Sequence, residues 1–120
     1  MMTAAQVAEN VVKALDSKMA RDIKVLKTDK LTSLADYFVI CSATSSTHIK
    51  TLNDETYKAM CELGEPPLRR EGYRGGGWVL LDFGCVIVHI FTEETRKFYN
   101  LERLWADAEE VDISSLIRPC

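Results

Sequence analysis

The sequence predicts an α/β domain whose mixed sheet is flanked by helices, in the order helix, strand, strand, helix, hairpin, helix. Three observations carry that expectation. Val7, Val11, Leu15 and Met19 recur every four residues, with Ala8 and Val12 beside them, which is the apolar stripe of an amphipathic helix. Residues 37–41 are nearly continuous apolar, as in a strand covered on both faces. Two apolar runs, 78–83 and 86–91, flank the dipeptide Gly84-Cys85.

Each element has a local reason. Thr3, with Gln6 three residues on, makes a capping box that opens a first helix over 4–19. Residues 23–28 alternate apolar and basic and read as a short strand; polar 29–33 leads to the buried strand at 37–41. Residues 42–47 are small and mostly hydroxylated, rich in caps for a second helix over 48–63. That helix buries Ile49, Leu52, Thr56, Ala59, Met60 and Leu63; Gly64 ends it and Pro66-Pro67 prevents its continuation. A basic turn at Arg69 and Arg70 follows. Thr92 then caps a third helical segment, with Glu93 and Glu94 at the positive end of its dipole. Phe98, Tyr99, Leu101, Leu104 and Trp105 supply apolar groups to pack that segment on the domain. The 120 residues form one domain, 1–120, with 106–120 as a C-terminal tail.

Composition narrows the function classes. The formal net charge is -3, with 15 basic residues, so no global field draws the chain onto phosphate, and a basic protein is the better-matched partner. The four cysteines lack paired spacing and read as reduced thiols. The N-terminus has neither a signal-peptide nor a transit-peptide pattern, and no apolar run is long enough for a bilayer. A cytoplasmic protein, or one already processed, without membrane contact is expected.

With a two-residue loop, glycine first suits a type II′ turn and sets the hairpin register. Phe83 then faces Val86, Leu81 faces Val88 and Val79 faces Ile90: an all-apolar core face. The opposite face pairs Asp82 with Ile87, Leu80 with His89, and Trp78 with Phe91. Aromatic and aliphatic anchors among few charges suit a protein-binding surface. The plainer alternative is that another element covers this face, with Asp82 and His89 finding partners inside. A three-residue loop would exchange the assignments.

Other patterns carry less. Cys85 with His89, or Cys41 with His48, lacks the third group that orients a reactive pair. Two histidines and four scattered cysteines do not cluster as zinc ligands. Gly75-Gly76-Gly77 precede a strand rather than opening a helix, so they read as a connection and not a phosphate loop. The hydroxyl run at 42–47 is explained by helix capping, although an anion at that helix start is the alternative.

Three co-linear segments go further. They are Ala35-Asp36-Tyr37-Phe38-Val39-Ile40-Cys41-Ser42-Ala43-Thr44-Ser45, the stretch from Trp78 through Phe91 with Thr92, and Arg96-Lys97-Phe98-Tyr99-Asn100-Leu101-Glu102-Arg103-Leu104-Trp105. In order and spacing they closely resemble the ribosome silencing factor (Iojap) family, from about Val7 to Ala108. The resemblance implies a nucleotidyltransferase-like fold without the metal site. It implies a translational repressor that binds large-subunit ribosomal protein fourteen on the large ribosomal subunit. The resemblance further implies that occupying the face that meets the small subunit would block its joining and lower translation under nutrient limitation. Ribosomal RNA contacts would be secondary at most, and a homodimer is compatible with the family.

The sequence departs from the family pattern at Cys85, where relatives commonly carry an acidic residue, and at Gly75-Gly76-Gly77. The rival implied by the fold is an active nucleotidyltransferase acting on nucleotide or RNA. That chemistry needs two or three carboxylates around Mg²⁺ behind a Gly-Ser turn. Asp36 opens its strand alone, so no catalytic residue, cofactor or metal is expected. The expected partner-binding residues are Trp78, Leu80, Asp82, His89 and Phe91, with Asp36, Tyr37 and Tyr99 at the edges.

Overall fold

The computed structural model describes residues 2–72 and 77–117. Helix α1 spans Ala4–Ser17, and its capping box forms as the sequence predicts: the Thr3 side chain accepts from the Gln6 N–H while the Gln6 side chain accepts from the Thr3 N–H. The helix stops two residues short of the expected end. Met19 takes a φ of 64° just past the helix and is exposed rather than part of the apolar stripe. Strand β1 (Arg21–Lys27) is bulged between Arg21 and Lys24, with Asp22 at a φ of 49°. Strand β2 (Tyr37–Ala43) is buried along almost its whole length.

Helix α2 (Ser46–Glu62) is capped by Ser45, whose side chain accepts from the His48 N–H. Gly64, at a φ of 78°, turns the chain out of α2: its N–H reaches the Cys61 carbonyl and that of Glu65 reaches the Met60 carbonyl. Leu63, expected in the core, is exposed because the helix has already ended. His48 ties the two helices together. Its Nδ1 accepts from the Thr44 N–H (2.9 Å) and its Nε2–H donates to the Lys18 carbonyl (2.8 Å).

The basic turn is in fact strand β3 (Arg69–Gly72), followed by β4 (Trp78–Asp82) and β5 (Val86–Thr92). Gly75 and Gly76 lie outside the described residues. Gly77 approaches α3 (Glu93–Tyr99) so closely that a Cβ there would collide with the Thr95 side chain. Asn100, at a φ of 47°, joins α3 to the single turn α4 (Leu101–Leu104). The tail is corrected in part: Glu109–Val111 form strand β6, antiparallel to β1.

The sheet runs β3-β4-β5-β2-β1-β6, with β2 and β5 parallel and the other neighbours antiparallel. Helices α1 and α2 cover one face, closing a core that includes Val11, Leu15, Val39, Leu52, Leu81, Val88 and Ile90. On the other face a smaller cluster of Leu26, Phe38, Ile40 and Phe91 lies under Leu101, Trp105 and Ala108. No helix among the described residues is long and apolar enough to cross a membrane.

Candidate docking surface

The hairpin positions the site, and its register is the one the two-residue turn demands. Trp78 faces Phe91, Leu80 faces His89 and Asp82 faces Ile87, while the Phe83 N–H donates to the Val86 carbonyl. Gly84 has a φ of 84° and Cys85 has no positive φ, as a type II′ turn requires. Val79, Leu81, Val86, Val88 and Ile90 are accordingly buried beneath the helices.

The opposite face divides into a covered half and an open half. His89 is only 5% exposed and Phe91 only 1%, so neither stands on the surface as expected. The chain from Leu101 to Ala108 lies over the middle strands and closes them off. Trp78, Leu80, Asp82 and Ile87 stay half-buried, at the margin that this cover does not reach. Rings link the two halves. Trp105 meets Phe38 edge-on at 5.1 Å, Phe38 lies 5.3 Å from His89, and His89 stacks on Phe91 at 6.0 Å. Trp78 lies 4.8 Å from Phe91 and 4.6 Å from Tyr99, which meets Phe98 edge-on at 5.0 Å. Offset and edge-on pairs at such distances add to the stabilisation that burial provides.

The polar groups of Trp78 and Asp82 are committed to structure. The Trp78 Nε1–H donates to His89 Nδ1 (3.2 Å), which leaves the proton of neutral His89 on Nε2. Nε2 has no partner among the described residues. Burial pushes the His89 pKa down to about 4, so the ring is neutral at pH 7. Asp82 does not offer the free carboxylate that its place in the pattern suggests. Its Oδ2 pairs with Arg69 Nε at 3.1 Å and its Oδ1 accepts from the Gly84 N–H at 2.8 Å. The β3 strand, which no apolar pattern announces, brings Arg69 into register opposite it.

The edge candidates separate. Tyr99 joins the site through Trp78. Tyr37 does not: strand alternation turns it to the helix side, where it packs with the main core. Asp36 is exposed at the hairpin-turn end, where its N–H donates to the Cys85 carbonyl (2.8 Å). The cysteine–histidine pairs gain no support. Cys41 is fully buried, which raises its thiol to about 12, and burial raises Cys85 as well.

Sequence reasoning missed Arg96. It is 9% exposed and pins α3 and α4 to the sheet. Its Nη1 donates to the Asp22 carbonyl and to Ser42 Oγ, both at 2.8 Å, and its Nε pairs with Glu102 at 2.6 Å. Lys24 also reaches Glu102, at 3.0 Å, and these two cations hold the Glu102 carboxyl below its ordinary range against the effect of burial. The β1 bulge lies where the Asp22 carbonyl meets this guanidinium. Only the sheet pairing reveals that meeting, because Asp22 and Arg96 are 74 residues apart.

A mixed six-stranded sheet, with helices over one face and aromatic groups along a half-open second face, defines a single mixed α/β domain. The model of the family described as ribosomal silencing factor during starvation matches residues 1–119. The chain belongs to that family, RsfS, whose role is the regulation of translation. It is 35% identical over 116 residues to the ribosomal silencing factor RsfS of Halalkalibacterium halodurans, covering 97% of this chain and 99% of that one. It is 35% identical over 98 residues to the mouse mitochondrial assembly of ribosomal large subunit protein 1, covering 79% of this chain and 43% of that one. A crystal structure of protein CV0518 from Chromobacterium violaceum superposes with a TM-score of 0.84 at 31% identity, covering 88% of each chain.

Proposed function

We propose that this chain represses translation in the cytoplasm by docking on large-subunit ribosomal protein fourteen, so that the bound large subunit cannot join the small one. The observation that carries the reading is the open margin of the second sheet face. There Trp78, Leu80 and Ile87 leave apolar area uncovered beside the Asp82–Arg69 pair, in a chain of the silencing factor family. Trp78 and Leu80 supply desolvation at the centre, with Tyr99 flanking them. Asp82, Arg69 and Glu71 form a polar rim whose charges are mutually paired. His89 and Phe91 act from beneath, by holding the Trp78 ring. Asp36 lies at the far end of the hairpin and Tyr37 on the helix side, so both are peripheral to this reading. Inhibition then needs no chemistry: steric exclusion follows mass action on the docked fraction.

Co-sedimentation with separated ribosomal subunits tests this. The protein should travel with the large subunit alone, and Trp78→Ala should weaken binding by about 2 kcal/mol. Trp78 also packs on Phe91, so Leu80→Ala serves as the variant with less effect on the fold and should weaken binding in the same direction. Unchanged affinity in both folded variants would remove the assignment of the surface. Absence of the wild-type protein from both subunits at micromolar concentration would remove the function.

A further inference from the structure

Beyond the sheet, the corner between α3 and α4 carries apolar groups that cover nothing. Phe98 is 79% exposed and Leu104 72% exposed, with Tyr99 beside them. The sequence pattern assigns Phe98 and Leu104 to packing, yet the apolar packing of this segment on the sheet falls to Leu101, Trp105 and Ala108, with Tyr99 against Trp78. Lys97, Asn100 and Arg103 line the same shallow hollow, and no carboxylate does. Neither Lys97 nor Arg103 makes an ion pair with the described residues. The neighbouring Glu102 is already held by Arg96 and Lys24. Two cations outside any ion pair among the described residues therefore flank exposed rings on a chain of net charge -3, although Lys97 also borders a hollow lined by Asp22, Glu93 and Glu102. The helix dipoles favour cations at these positions, since both lie in the last turn of their helices, but they give no reason for an exposed phenyl ring.

We infer that this corner is a second contact, made to RNA on the surface of the large subunit: an unpaired base stacks on Phe98 while Lys97 and Arg103 meet the adjoining phosphates. Stacking on aromatic side chains is how proteins take hold of unpaired bases, and every base offers the π-face that it needs. A basic protein surface does not fit the same hollow, because Lys97 and Arg103 would repel it. The inference rests on the large-subunit reading above and adds an adjoining surface, joined to it through Tyr99, whose ring meets both Trp78 and Phe98. Arg96 ties this corner to the sheet through its bonds to Asp22, Ser42 and Glu102, without any contribution from Phe98.

The test compares binding to purified large subunits with binding to isolated ribosomal protein fourteen. Phe98→Ala should weaken binding to subunits about tenfold, with Phe98→Trp restoring it. The double variant Lys97→Ala, Arg103→Ala should lower the salt dependence of that binding by about 1.4 in log–log slope, two phosphates at about 0.7 each. Binding to the isolated protein should be unchanged in all of them. An equal loss on the isolated protein would overturn the inference and give the corner to the protein partner. So would unaltered binding to subunits, or loss of a homodimer in sedimentation, which would give the corner to a second copy. If the subunit effects appear while the wild-type protein fails to bind isolated protein fourteen, the RNA contact stands and the docking surface proposed above falls.

Discussion

The two faces of the sheet are made by the same strands and finished in opposite ways. Towards α1 and α2, side chains such as Val39, Leu81, Val86, Val88 and Ile90 are buried in a cluster of mainly apolar groups, with Thr56 of α2 buried among them. Towards α3 and α4, the cover is one short chain segment held by a buried arginine, and it meets β4 only at its Trp78 end. Continuous cover by two long helices is how such a domain obtains its stability, since apolar area removed from water is the main stabilising term. The partial cover leaves apolar area and aromatic rings in reach of a partner. On the proposed docking reading, stability and recognition are divided between the faces.

If that division holds, neighbouring residues of one strand should answer very differently to the same change. Leu81→Ala, on the closed face, should destabilise the protein by about 4 kcal/mol in urea unfolding. Leu80→Ala, one residue away, should change stability by less than about 1 kcal/mol and act on ribosome binding instead. Similar losses at both positions would break the contrast.

The arginine offers a sharper probe. Arg96→Ala removes the latch between the corner and the sheet and leaves Glu102 with Lys24 alone; a loss of about 3 kcal/mol is expected. Near-ultraviolet circular dichroism of Trp78 and Trp105 should change with it, because the cover shifts over both rings. A stable variant with an unaltered aromatic spectrum would mean that the rings, not the guanidinium, hold the corner.

The smallest effect is one of pH. His89 has a folded pKa of about 4, below the unfolded 6.5, so the unfolded chain binds the proton first as pH falls. Its contribution is fully present above pH 6.5 and is lost as pH falls through that value towards 4. Between pH 7 and pH 5 the loss should be about 2 kcal/mol, and His89→Phe should flatten it. An unchanged slope in the variant would show that carboxylates, not this imidazole, govern acid stability.

The pairing of the candidate site's hairpin residues is legible in the sequence because one turn controls it. Gly84-Cys85 dictates the hairpin register, and register decides which residues share a face. The core face follows from its uniform apolar composition, and both long helices from periodicity and caps. The features that escape have a common cause. Strands β3 and β6 carry charged, exposed residues and exist because β4 and β1 offer them unpaired backbone groups, a condition their own sequences do not record. The cover over His89 and Phe91 is equally hidden. Phe98, Leu101, Leu104 and Trp105 are all apolar, and only the αL turn at Asn100 and the Arg96 latch select which of them face inward.

By itself, then, the sequence determined the elements whose instructions are local: caps, apolar periods, a glycine at a turn that needs positive φ, and a charge balance that disfavours bulk phosphate binding. The tertiary structure decided what is open. Exposure depends on which distant segment arrives over a face, and that arrival is set by contacts such as Arg96 to Asp22, across 74 residues, that no local pattern encodes.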